Sequence, residues 1–332
     1  MQKIRLGANG SEIAAAGLGC MAMSGGYGQP DDAESLATIQ AALDAGISLI
    51  DTGDFYGMGH NEMLIGEALK GGRRQRAFIS VKFGALRAPD GGWIGYDLRP
   101  AAVKNFLAYS LRRLNTDYID LYQPARYDHM VPLEDTLGAI ADLVKAGYVR
   151  AIGQSEVSAR TLRRAAALHP IAALQIEYSL MSRGIEEEIL PAARALKVPV
   201  VAYGVLSRGL ISDATLANGA GAGEIRSRMP RFAGQNFERN RALIAALAKI
   251  AKARGATVAQ LAFAWLRSRG PDIVPLIGAR TCAQLADALA GLSLTLSADE
   301  LATIEQAVPK DSAAGERYGP AQMKQLDSEL RA

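Results

Sequence analysis

The 332-residue sequence predicts a parallel (β/α)8 TIM barrel, on three observations. From residue 48 onward, short apolar runs alternate with segments of helical period, the pattern of βαβ units. Eight such runs fall within about 280 residues, which suits a closed barrel better than an open doubly wound sheet. The fingerprint of an open nucleotide-binding sheet is missing: "GLGCMAMSGGYG" at 17–28 does not supply G-x-G-x-x-G in the required place.

Taken in chain order, "IRLGANGSEIA" reads as a β-hairpin turning at Asn9-Gly10, placed to plug the bottom of the barrel. The eight strands are then 15–21, 48–53, 77–83, 118–123, 149–155, 172–179, 199–206 and 272–279. Helical stripes lie between them: Val103, Leu107, Ser110 and Leu114 in 99–114; Leu133, Leu137, Ile140 and Val144 in 132–146; Leu243, Leu247 and Ile250 in 239–254. Gly46, Gly147 and Gly255 follow helix ends. After the seventh strand, 207–238 reads as a long Gly/Ala/Arg-rich loop, expected to cover a cofactor or substrate. One barrel domain is expected over 1–332, with a polar tail from 309 to 332 that is mobile or covers part of the mouth.

Composition narrows the function. With 49% hydrophobic and 21% charged residues and a net charge of +3, the chain has no nucleic-acid or acidic-membrane footprint. No apolar stretch of about 18 residues suggests a membrane span, and no h-region suggests a secretory signal. Cys20 and Cys282 fit neither a disulfide framework nor a metal site, and the three histidines lack zinc spacing. A cytoplasmic protein without a metal is expected, acting on a small molecule as a monomer or homo-oligomer.

Barrel enzymes build their sites where strands end. The second strand ends in "DTGDFYG", and "DTG" invites an aspartic-protease reading. That reading fails, because a protease of this kind needs two such turns in β-rich flanks. Asp51, Tyr56 and Lys82 instead converge as an acid–base unit. Phe78, Ser80 and Lys82 share one strand face, so Lys82 points into the mouth. Asp51 is expected to keep Lys82 charged, and burial with a nearby ammonium to bring the Tyr56 pKa down toward neutrality. Trp93, in "APDGGWIGYD" after the third strand, is expected on the rim, where it shapes an apolar pocket with Tyr27 and Tyr127.

The segments "GLGCMAMSG", "LIDTGDFYGMGHNEMLIGEAL", "ISVKFG", "SLRRLNTDYIDLYQ", "VPLEDTLGAIADLVKAGYVRAIGQSE", "HPIAALQIEYSL", "AYGVLSRGL" and "VPLIGARTCAQL" resemble those of the aldo-keto reductases, barrels that use NADPH without a Rossmann domain. The resemblance spans nearly the whole chain. It implies that Asp51, Tyr56 and Lys82 are three of four catalytic residues, with Tyr56 giving the proton to a carbonyl oxygen. The fourth, normally a histidine, falls on Ala125, so one donor is missing; Arg126, expected at the substrate, and His129 follow it and could supply one. The resemblance also implies nicotinamide contacts at Ser155, Gln175 and the stacking Tyr203. Further cofactor contacts fall on Gly19, Cys20, Met21, Gly204, Val205, Leu206, Ser207, Arg208, Gly209, Gly278, Ala279, Arg280, Gln284 and Asp287. Arg280 can fork onto a 2′-phosphate, which favours NADPH over NADH. The activity implied is reduction of an aldehyde or ketone. Two alternatives stand beside it: a nicotinamide-binding regulatory protein, or an alcohol or sugar dehydrogenase.

Overall fold

A computed structural model gives the fold and describes residues 3–7, 10–218 and 225–330. Its strands are β1 (Lys3–Arg5), β2 (Glu12–Ala14), β3 (Gly17–Gly19), β4 (Leu49–Gly53), β5 (Phe78–Phe83), β6 (Ala85–Arg87), β7 (Trp93–Tyr96), β8 (Ile119–Pro124), β9 (Val149–Ser155), β10 (Ile171–Glu177), β11 (Val200–Tyr203) and β12 (Ile273–Ile277). The eight strands β3, β4, β5, β8, β9, β10, β11 and β12 close into a parallel barrel, as the apolar runs predict. Closure comes from β12 pairing with β3, Leu276 opposite Gly17.

Side chains alternate along each strand, and the two faces make two cores. Inward, Leu49, Phe78, Leu121, Ala173, Val201 and Val274 form the barrel floor. Outward, Ile50, Ile79, Val81, Tyr122 and Ile152 pack under the helices. Leu6 and Ile13, both fully buried, belong to the inner core. They come from the antiparallel β1–β2 hairpin, which therefore seals the lower end of the barrel. Asn9 lies outside the described residues. A Cβ at the neighbouring Gly10 would overlap the Leu6 carbonyl oxygen, so this turn requires glycine.

The helix Pro100–Leu114 buries Val103, Leu107, Ser110 and Leu114, the predicted stripe. The helix Gly234–Arg254 starts earlier than residue 239, and its buried line runs through Ile244, Leu247 and Ala251 rather than Leu243 and Ile250. Gly46, Gly147 and Gly255 take left-handed φ of 85°, 86° and 67° after their helices. Among the described residues no helix is long and apolar enough to cross a membrane.

Two connections differ from expectation. The segment 207–238 is not one irregular loop: it contains a helix, Asp213–Asn218, and two 3-10 turns, Ile225–Arg228 and Pro230–Phe232. Residues 219–224 lie outside the described part. The loop carrying Trp93 is a second hairpin, β6–β7. The tail takes the second of its two expected courses and covers part of the mouth. Leu326 and Asp327 are buried, and Asp327 accepts the Ser158 N–H at 2.7 Å. Arg317 reaches Glu156 at 2.9 Å and Glu177 at 3.1 Å, both of them buried carboxylates.

Burial raises the Glu177 carboxyl, but Arg208, Arg317 and Arg231 outweigh it and hold it at about 2, against an ordinary 4.5. A depressed carboxyl contributes stability that is present above pH 4.5 and lost as pH falls toward 2. Arg317→Ala is expected to cost about 3 kcal/mol near neutrality, the scale for removing one partner of a buried pair. That deficit should narrow as the pH drops below 4.5. Urea unfolding of both proteins over this range checks it, and a deficit independent of pH would contradict it.

Candidate active site at the strand ends

The inward face that makes the floor continues upward into a polar layer. Two residues beyond Leu49, Phe78, Leu121, Ala173 and Val201 lie Asp51, Ser80, Gln123, Gln175 and Tyr203, and Lys82 follows Ser80 on the same face. Asp51 is the hub. Lys82 Nζ donates to Oδ1 at 2.5 Å, while Ser80 Oγ and Gln175 Nε2 donate to Oδ2 at 3.1 Å and 2.6 Å. Gln123 Nε2 donates to Ser80 Oγ at 3.1 Å. Burial pulls the Lys82 ammonium down from its ordinary pKa, and Asp51 opposes that pull.

Tyr56 stands beside this hub, with Lys82 Nζ 5.2 Å from its ring centroid. The three residues singled out for acid–base work are therefore together. The expected direction of the Tyr56 shift is wrong, however. Its hydroxyl is pushed well above 10, first by burial, which penalises the phenolate, and second by the Asp51 charge. Arg126 is the cation that opposes this. One wall is aromatic: Phe55 meets Tyr56 edge-on at 4.8 Å and Trp93 at 6.0 Å, and Trp93 meets Tyr96 at 5.0 Å. Trp93 Nε1 is buried without a hydrogen-bond partner.

Ala125 directly follows the fourth barrel strand, β8, 2% exposed, its N–H bonded to the Phe83 carbonyl at 2.8 Å. Arg126 turns back, donating to the Ala125 carbonyl at 2.7 Å and to the Tyr318 hydroxyl at 3.1 Å. The Tyr318 hydroxyl lies 2.9 Å from that of Tyr203, which donates to Glu156 at 2.8 Å. Arg208 stacks 4.4 Å from the Tyr318 ring and pairs with Glu177 at 3.0 Å. Tyr27 lies close enough to feel the Arg208 charge. Tyr127 and His129 follow Arg126 in the same loop. Tyr127 packs against the helix-side core, and His129 is exposed, edge-on to Tyr127 at 4.6 Å.

Several features suit a polar, anionic ligand. Ser155 Oγ is buried on the inward side of β9 without a partner, an acceptor and donor awaiting one. Ser207 and Arg208 hold left-handed φ of 45° and 60°, a strained turn of the kind functional sites retain. Beyond β12, a Cβ on Gly278 would meet nothing within 4 Å, so the backbone is open to a ligand there. Arg280 is half-buried and donates to the Gln29 carbonyl at 3.3 Å. The helix Cys282–Ser293 that follows is less open than expected. Its Cys282 N–H is taken by Glu34 at 2.8 Å, and Gln284 Oε1 accepts the Arg280 N–H at 2.9 Å. Asp287 is tied down as well, accepting from Gln260 Nε2 at 2.7 Å and from Thr257. Gly19 and Cys20 lie at the end of β3, where the Cys20 N–H bonds the Asp51 carbonyl at 3.0 Å, and Met21 opens the next turn.

Sequence reasoning missed Glu156, Glu177, Arg317 and Tyr318. The two glutamates had a signal, since each follows a strand end, in "GQSEVS" and "QIEYS". Arg317 and Tyr318 sit in "GERYGP", a polar stretch without period.

Residues 15–309 match the model of the Aldo/keto reductase family, so the tail that carries Tyr318 lies beyond the match. The chain is 39% identical to "Probable aldo-keto reductase 1" of Glycine max over 321 residues, 96% of this chain and 92% of that one. Among solved structures it is similar to a glycerol dehydrogenase from Gluconobacter oxydans, with a TM-score of 0.82 and 29% identity, covering 99% of this chain and 97% of that one. It is also similar to an aldo-keto reductase from Bacillus halodurans in its holo form, with a TM-score of 0.77 and 27% identity over 95% and 98% of the two chains. With a barrel of this topology and a match of this length, the chain belongs to the aldo/keto reductase family, oxidoreductases that act on carbonyl or alcohol groups with NAD(P).

Proposed function

We propose that the protein reduces the carbonyl of a small aldehyde or ketone, with Tyr56 as proton donor and NADPH as the preferred nucleotide. The observation that carries this reading is the Asp51–Lys82 pair at 2.5 Å with its ammonium over the Tyr56 ring. A bound nicotinamide supplies the hydride. Tyr56 supplies the proton, and burial suits it to do so, because a phenol with a raised pKa stays protonated at neutral pH. An alkoxide is more basic than a phenolate, so transfer from Tyr56 to the nascent alcohol runs downhill. Lys82 then faces the phenolate, and Asp51 keeps that ammonium charged and fixed.

The residues proposed to hold the nucleotide lie along one side of the mouth. Ser155 and Gln175 would take the nicotinamide amide. Gln175 Nε2 is engaged with Asp51, so it would serve through its carbonyl or exchange partners. Tyr203 would stack on the ring. The turn from Gly204 to Gly209 would hold the pyrophosphate, with Arg208 giving up part of its hold on Glu177. Arg280 would meet the 2′-phosphate, being a half-buried guanidinium held, among the described residues, by the Gln29 carbonyl. We further propose one barrel unit over 1–332 and action as a monomer or homo-oligomer. The same groups run the reverse reaction, with Tyr56 as base toward an alcohol.

Tyr56→Phe is expected to abolish reduction of a reactive aldehyde while leaving NADPH affinity nearly unchanged. Substantial turnover in this variant would assign the proton to another group. The pH profile follows from the same shift. The acid form of Tyr56 is the active one, so kcat for reduction should hold from neutrality to about 10 and fall only above it. An apparent pKa near neutrality would contradict this. For the nucleotide, NADPH should bind at least roughly tenfold tighter than NADH, about 1.4 kcal/mol, and Arg280→Ala should erase the difference. Fluorescence titration with both nucleotides decides this, and equal affinities in the unmodified protein would remove the 2′-phosphate argument.

A further inference from the structure

Every other deeply placed arginine of the mouth has a carboxylate. Arg208 pairs with Glu177 at 3.0 Å, and Arg317 with Glu156 and Glu177 at 2.9 Å and 3.1 Å. Arg231 lies 3.8 Å from Glu177. Arg126 is the exception. Among the described residues its guanidinium bonds only a backbone carbonyl and the Tyr318 phenol, with no carboxylate within ion-pair distance. Glu156 is the carboxylate whose charge reaches it, from beyond ion-pair distance. A cation taken partly out of water without a direct carboxylate partner is costly, and it is tolerated where a ligand completes it.

Its position says what the ligand is. Arg126 follows Ala125, a buried residue just past the end of β8 that continues the alternation of Leu121 and Gln123. Its charge acts on Tyr56, Lys82, Tyr96 and Tyr203, so the guanidinium sits among the groups that surround the reacting centre. Tyr318 holds it there: the phenol accepts from Arg126, and its ring lies 5.7 Å from the guanidinium carbon and 4.4 Å from that of Arg208. The Tyr203 hydroxyl, 2.9 Å away, fixes Tyr318 in turn.

We propose that Arg126 is the second donor to the substrate carbonyl oxygen, opposite Tyr56, and that Tyr318 of the C-terminal tail is the residue that positions it. The assignment rests on the carbonyl-reduction reading above. As hydride reaches the carbonyl carbon, the C–O double bond becomes a C–O single bond. The negative charge gathering on oxygen is stabilised by the guanidinium before Tyr56 delivers its proton. Arg126 keeps its own protons throughout, so the step balances with hydride and one phenolic proton alone. The donor thus comes from the residue after the strand end, and the tail, 192 residues further on, sets its aim.

The test uses two aldehydes of similar shape, neutral para-nitrobenzaldehyde and anionic para-carboxybenzaldehyde, with NADPH. Arg126→Ala should lower kcat on both by roughly 100-fold, the usual loss for one such donor, with NADPH affinity unchanged. Added guanidinium ion should restore part of that loss, and Ala125→His in the Arg126→Ala background should restore more of it. Tyr318→Phe should lower kcat by a smaller factor on both aldehydes while KM stays in place. Retention of kcat in Arg126→Ala would overturn the assignment. So would a loss confined to KM for the anionic aldehyde, which would make Arg126 an anchor for a substrate charge. A loss that neither guanidinium nor histidine at 125 restores would overturn it too, marking a structural role. If the unmodified protein turns over neither aldehyde, or Tyr56→Phe turns them over freely, the underlying reading fails and this assignment with it.

Discussion

The whole arrangement depends on one buried carboxylate. Asp51 sits below solvent with three donors on its two oxygens, from Lys82, Ser80 and Gln175. Those donors come from β5 and β10, on different sides of the barrel, and Gln123 links β8 through Ser80. An ionised carboxylate at this depth is tolerable only with a cation and full hydrogen bonding. Meeting that requirement fixes four strands at one height and leaves Lys82 with a single possible direction, toward Tyr56. The chemistry and the registry of the mouth are therefore the same constraint.

Around that hub the barrel is layered. The floor is dry and apolar, closed below by the hairpin through Leu6 and Ile13. Above it the inward face turns polar within one step of the strand period. Higher still, Glu156 and Glu177 would repel each other but for Arg208, Arg231 and Arg317. The tail contributes the arginine that bridges both, so the upper layer is complete only with the tail docked. Glu156 itself holds a left-handed φ of 53°, a conformation that this network over-determines.

Much of this was legible in the sequence because it rests on period. Eight apolar runs spaced by helical stripes announce the barrel. Alternation from Phe78 to Lys82 aims the lysine, and Asp51 at a strand end marks the mouth. What failed to show is what has no local signature. Arg317 and Tyr318 lie in a polar stretch, and their partners Glu156, Glu177, Arg126 and Tyr203 are over a hundred residues away. The Tyr56 shift was misjudged because burial and a neighbouring ammonium push a phenol in opposite directions, and only the geometry shows that burial and Asp51 win.

The pairing of β12 with β3 has a consequence for synthesis. β3 is made near the start of the chain and has β4 on one side soon afterwards. Its other edge waits for Leu276 and Ile277, on the last barrel strand in chain order. For most of translation the nascent sheet is open, with unpaired backbone at two edges and the apolar floor in reach of water. The hairpin can cover that floor from below long before the ring shuts, as Ile4, Leu6 and Ile13 precede every barrel strand in the chain. A feature that looks like a stopper in the finished barrel is thus also a guard for the unfinished one.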